Sequence, residues 1–169
     1  DKGTNELLKA FRKINRPDFA LLLIGSFDEL RCNLDREVVE WAKANDRVIF
    51  HGFSREVPKY MAAMDILVHP TYREGFSMVI QQAMAMGCAI ITTDVPGPSE
   101  VIEKDKSGLL VPDHNVEKLA DAMARLGSDK SLQSAFSEAG LIRVKEKFER
   151  SKMLEMTFEN RMKMINREI

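Results

Sequence analysis

A chain of 169 residues, 44% hydrophobic and 30% charged, is long enough to bury about 70% of the surface its unfolded form exposes, which excludes disordered and fibrous architectures. Its 25 Lys and Arg are set against 26 Asp and Glu, a formal net charge of −1 that leaves no basic footprint for a nucleic acid. No apolar run nears the roughly 20 residues that span a bilayer, and Asp1-Lys2-Gly3-Thr4 lacks the layout of a signal peptide.

Apolar residues at Leu7, Leu8, Phe11 and Ile14 recur with a helical period and predict a helix over 5–14, ended before Pro17. The apolar run 19–24, closed by Gly25, predicts a strand covered on both faces. A helix over 33–44 follows, with Leu34, Val38, Val39 and Trp41 as its buried stripe. Next come a strand at 48–50, a short helix near 57–64 with Pro58 in its first turn, and a strand at 66–68. Helix 77–86, apolar nearly all round and therefore expected to be buried, precedes a strand at 89–91, a helical turn near 99–102 and a strand at 108–111. From 115 onward the pattern is helical only, over 115–127, 130–147 and 151–166, with Gly127 and Gly140 as weak points. Five strands alternating with helices predict an α/β domain, a Rossmann-like doubly wound parallel sheet with helices on both faces and C-terminal helices. Cys32 and Cys88 follow no CxxC or metal-ligand spacing, so two reduced thiols in a cytoplasmic protein are expected.

In such a sheet ligands bind at the carboxyl ends of the strands, so the loops there carry the chemistry. The most informative runs from His69 through Pro70-Thr71-Tyr72-Arg73-Glu74-Gly75-Phe76 to Ser77. Gly75 falls where backbone approaches a ligand and Ser77 at the N-cap of the following helix, whose free amides and dipole suit a phosphate. Gln82 lies one turn beyond Met78, near the ligand end, while Gln81 follows Ser77 on another side; each amide could equally satisfy a backbone group in the core.

Arg73-Glu74-Gly75-Phe76 before an apolar helix, Ala83-Met84-Ala85-Met86-Gly87, Ile90 to Gly97, Glu100-Val101-Ile102 and Ser107 to Pro112 together resemble the C-terminal domain of retaining glycosyltransferases of the GT-B fold, family 4. Lys2-Gly3 and the stretch from Tyr60 to Pro70 extend the resemblance along nearly the whole chain. The resemblance implies a nucleotide-sugar donor site. Glu74 matches the first acidic residue of the family's Glu-x7-Glu motif, at the donor sugar, and is the implied catalytic residue. Gly75, Phe76 and Ser77 match the loop whose amides hold the diphosphate, Lys2 a cation that neutralises it, and Gly52 and Phe53 the loop beside the base.

The implied reaction is transfer of a hexosyl or N-acetylhexosaminyl group from a UDP-sugar, with retention of configuration, to a glycan or lipid-linked acceptor in surface polysaccharide assembly. No metal or other cofactor is expected, because no Asp-x-Asp pair is present and cationic side chains with a helix end can stabilise the departing diphosphate. Two departures stand out. The second motif position is Gln82 rather than glutamate, so one neutral oxygen replaces a carboxylate at the ribose. The family's first strand, with its Gly-Arg, is absent before Lys2, which reads the chain as a single donor-binding domain over 1–169, a fragment lacking that strand and the N-terminal acceptor domain. Such a fragment is expected to bind without transferring, in the cytoplasm or, in the full protein, peripherally at the inner face of the membrane. An epimerase-like nucleotide-sugar enzyme and a catalytically silent nucleotide-binding module stay open as alternatives. His51 and His114 are expected to be structural or exposed, and His69 is balanced between a place near the leaving group and a structural one.

Overall fold

Helix α1 (Thr4–Ile14) forms where the apolar period starts, and its stripe of Leu7, Leu8, Ala10 and Phe11 is buried. The computed structural model describes residues 2–26 and 34–148. In chain order α1 is followed by β1 (Leu21–Ile24), α2 (Arg36–Lys43), β2 (Val48–Gly52), α3 (Val57–Met61), β3 (Ile66–His69), α4 (Met78–Ala85), β4 (Ala89–Thr93), α5 (Pro98–Val101), β5 (Leu109–Val111), α6 (Val116–Ser128) and α7 (Lys130–Lys147). Each of these answers an element expected from the sequence. The helix expected over 151–166, Asn33 and Cys32 lie outside the described residues.

All strand pairings among the described residues are parallel, and helices cover both faces, as an alternation of strand and helix demands. On one face Leu21, Val48, Ala89, Ile91, Leu109 and Val111 join the stripes of α1, α2 and α6 in one apolar cluster. On the other face Ile90, with Leu67 and Leu110, packs against Met61 of α3, Ile80, Ala83 and Met84 of α4 and Val101 of α5. Cys88 is buried in this second cluster as a free thiol that donates to the Met61 carbonyl, and burial pushes its pKa up to about 11.

One expectation needs correction, and two take a more specific form. The expected parallel α/β architecture is present, and among the described residues its hydrogen-bonded strands fall in two groups, β1 with β2, and β4 between β3 and β5. Each group leaves one edge unpaired toward the other half of the chain order, β1 in the first and β3 in the second. Helix α4 is not buried all round: Ile80, Ala83 and Met84 join the second cluster and Val79 packs against it, while Met78, 61% exposed, and Met86 reach the surface. The helices run through Gly127 and Gly140; at Gly127 a Cβ would overlap the ring of Phe19, and at Gly140 it would make ordinary contact with Met84.

Candidate functional site

The carboxyl end of β3 delivers His69 and then the loop 70–77 into a space bordered by the start of α1 and the turn between β4 and α5. Threonine hydroxyls fix its first half from below. Thr92 Oγ1 donates to the His69 carbonyl at 2.8 Å, Thr93 Oγ1 donates to the Thr71 carbonyl, and Thr71 Oγ1 donates to the Arg73 carbonyl at 3.1 Å. All three threonines are buried, so each hydroxyl replaces water that the loop carbonyls cannot reach. Tyr72 turns the other way, donating to Glu6 of α1 and stacking on His114 with ring centroids 3.7 Å apart.

Two glycines let neighbouring backbone close on this loop. Gly3, at φ +65° and the N-cap of α1, packs so tightly on Pro70 that a Cβ would lie 2.9 Å from its carbonyl carbon and overlap its oxygen. Gly97, at φ +91°, lies against the loop from the opposite side, where a Cβ would sit 2.7 Å from the Glu74 carbonyl oxygen and overlap that of Gly75. Both backbone conformations and both contacts favour a residue without a side chain.

Inside this frame Lys2 Nζ donates to Glu74 Oε2 at 2.5 Å and His69 Nε2 lies 3.2 Å from the same oxygen. The hydrogen bond and charge of Lys2, helped by His69, hold the Glu74 carboxyl below the usual carboxylate range against partial burial. Burial holds the His69 imidazole below its ordinary value despite Glu74, which favours the neutral ring, and Nε2 is the ring nitrogen that faces the carboxylate. Both depressed values act in the same direction on folding. As pH falls below about 6.5 the unfolded chain protonates His69 before the folded one does, and at lower pH the folded chain resists protonating Glu74, so stability is lost on acidification. Thermal melting between pH 8 and pH 5 should therefore show a fall in Tm, and His69→Gln should flatten its part above pH 5.

Beyond the loop, Ser77 is the N-cap of α4 in extended conformation, but its hydroxyl accepts no helical amide and is buried without a partner. Asn115 and Asp129, by contrast, cap α6 and α7 with their side chains. The first-turn amides of α4 accordingly have neither an intrahelical acceptor nor a side-chain cap, which suits an anion. A Cβ on Gly75 would meet nothing within 4 Å, so this backbone is open to a ligand. Phe76 packs edge-on against Phe148, with centroids 5.3 Å apart. Among the described residues no group of three or more His, Cys, Asp and Glu is placed to hold a metal ion.

Lys2, Glu74, Gly75, Phe76 and Ser77 thus come together at one helix start. Gln82 stands along α4 on the exposed face that also carries Met78, whereas Gln81 is buried and its amide donates to the Ser77 carbonyl, so only one of the two glutamines serves the core. Gly52 and Phe53 stand apart at the end of β2 in the two-stranded group, with Phe53 72% exposed. His51 accepts or donates at the Tyr60 hydroxyl and is exposed, as is His114. Sequence reasoning missed Gly3 and Gly97 as packing points and the three threonines as loop ties. The threonine pair closing an apolar strand and the Pro96-Gly97-Pro98 turn were the available signals.

A family model described as "Glycosyl transferases group 1" matches residues 1–129. The chain is 29% identical over 88% of its length to the capsular polysaccharide biosynthesis glycosyltransferase CapM of Staphylococcus aureus, of which it covers 39%. It superposes with TM-score 0.80 and 29% identity on the C-terminal domain of LpcC, a glycosyl transferase group 1 protein of Francisella tularensis, over 88% of this chain and 80% of that one. Anabaena HepE in complex with UDP shares the fold at TM-score 0.85 and 22% identity, over 96% of this chain and 45% of that one. The chain spans about two fifths of the length of the curated relatives it matches, such as CapM. With the parallel α/β architecture, the charged motif loop and the uncapped helix start, these matches establish that the chain belongs to the glycosyl transferases group 1 family.

Proposed function

We propose that the chain is the donor-binding, C-terminal half of a retaining family 4 glycosyltransferase of the GT-B fold. In this reading it takes a UDP-sugar and supports transfer of a hexosyl or N-acetylhexosaminyl group to a glycan or lipid-linked acceptor in surface polysaccharide assembly. The observation that carries it is the meeting of Lys2 and Glu74 with the uncapped start of α4 around an open Gly75. A diphosphate at the α4 amides would have its charge met by the helix end and by Lys2, and Glu74 would face the sugar. No metal is invoked in that role. Gly52 and Phe53 would flank the base, and Gln82 the ribose. The capsular role of CapM and the UDP held by HepE support the choice of product class and of base.

The fold supports a further part of the proposal. Gly3 on Pro70 places the start of α1 at the carboxyl end of β3, and a right-handed crossover leading through α1 to β1 begins with a parallel strand. The unpaired edges of β1 and β3 are where that strand would lie, supplied by sequence preceding Lys2 in a longer protein that also carries an acceptor domain. With half a cleft, the 169-residue chain would bind donor without transferring sugar. No helix among the described residues is long and apolar enough to cross a membrane. The full protein is proposed to act in the cytoplasm, either free or peripherally at the inner face of the membrane.

Calorimetric titration with UDP, GDP and ADP, with and without magnesium, tests the site. One nucleotide, expected to be UDP, should saturate independently of magnesium and bind more weakly to Glu74→Ala and Gln82→Ala. Restoring Gln82→Glu should tighten it by about 1–2 kcal/mol, the difference between a charged and a neutral hydrogen bond. Absence of saturable binding in the chain and in the intact protein would refute the donor reading, and an unchanged affinity of Gln82→Glu would favour the silent module.

A further inference from the structure

We infer that His69 is a positioning residue for Glu74, which sets the direction of the carboxylate that the donor reading places at the sugar. The inference rests on that reading for its functional meaning, but its geometry stands by itself. His69 closes β3, and its main chain is fixed on two sides: its carbonyl accepts from Thr92 Oγ1 at 2.8 Å and from the Thr71 amide at 3.0 Å. The ring is consequently carried by the most firmly tied part of the loop, and its side chain is only 15% exposed. From there Nε2 reaches Glu74 Oε2 at 3.2 Å.

Lys2 meets the same oxygen, but with a side chain 60% exposed and on a flexible stem. Of the two donors on Oε2, the histidine is thus the rigid one and the lysine the mobile one. A diphosphate arriving at the α4 amides would draw Lys2 toward itself and away from the carboxylate. His69 would then keep Oε2 in place, leaving Oε1 directed outward to accept from a sugar hydroxyl. A neutral imidazole suits this task because it donates one proton along a fixed line without adding a charge that competes for the phosphate.

The test combines a ligand-free measurement with binding. Long-range ¹H–¹⁵N correlation spectra of the 169-residue chain at pH 7.5 should show the His69 ring as the Nε2–H tautomer, with its Nε2 signal shifted in Glu74→Gln. An Nδ1–H tautomer, or no response to Glu74→Gln, would overturn the inference whether or not any nucleotide binds. In titrations with UDP, UDP-glucose and UDP-N-acetylglucosamine, His69→Leu should lose about tenfold more affinity for the UDP-sugar that binds than for UDP, the scale of one hydrogen bond to a charged group. His69→Gln, which returns an N–H donor at similar reach, should restore most of it. In a Glu74→Gln background His69→Leu should cost little more, because the two act as one unit. A loss equal for UDP and UDP-sugar, or additive with Glu74→Gln, would assign His69 a merely structural role. If neither the 169-residue chain nor the intact protein binds any of the three, the UDP-sugar reading fails and the spectra alone decide the His69–Glu74 bond.

Discussion

Gly97→Ala is expected to destabilise the fold by about 3 kcal/mol and to abolish nucleotide binding, the larger part of the cost arising because a Cβ overlaps a carbonyl that cannot withdraw. The clash falls on the backbone of Glu74 and Gly75, whose loop is held from β4 by Thr92 and Thr93 and from α1 by Glu6 through Tyr72. With no flexible side chain to give way, either the β4–α5 turn or the motif loop must move. Gly52→Ala is the control. Gly52 also has a positive φ, +79°, but a Cβ there meets nothing within 4 Å, so only backbone strain of about 1 kcal/mol is expected. Urea unfolding followed by the fluorescence of Trp41 gives both values. Equal costs for the two variants would show that Gly97 is chosen for its backbone angle alone and not for its approach to the motif loop.

Ile90→Ala should cost about 3–4 kcal/mol, near the upper range for truncating a buried aliphatic side chain. Ile90 is fully buried on β4, a strand paired on both sides, and Gly108 of the next segment rests directly on it, leaving little room for the cavity to collapse. Ile49 on β2 has the same side chain but is 51% exposed, and Ile49→Ala should cost less than about 1 kcal/mol. Chemical denaturation of the two variants side by side checks the contrast. Near-equal values would mean that β4 is not the packed centre of the three-stranded group.

The order of elements was legible because the chain alternates short apolar runs with helical stripes, and two of the runs end in a residue that breaks a strand, Gly25 after β1 and Pro112 after β5. Periodicity carries no information on which strand edges meet, so the separation of β1 from β3 could not be read from it. The helix over 77–86 was misjudged for a related reason: methionine is apolar enough to suggest burial, yet Met78 and Met86 lie outside the stripe that touches the core. At the site, Glu74, Gly75 and Ser77 were legible as residue types at a strand-to-helix turn. The pairing of Lys2 with a residue 72 positions away, and of both with His69, depends on tertiary closure through Gly3 and Gly97, which no local pattern encodes.

The division of the strands also bears on how a ligand and the fold support one another. Glu74, Ser77 and Gln82 are carried by the group built around β4, whereas Gly52 and Phe53 belong to the pair β1–β2. In the 169-residue chain, a nucleotide gripped at its phosphates by one group and at its base by the other would act as a cross-brace between two pieces that, among the described residues, share an apolar layer but no backbone ladder. Ligand occupancy would then be felt as cooperativity: the two groups, able to loosen separately when empty, would melt as one unit when filled.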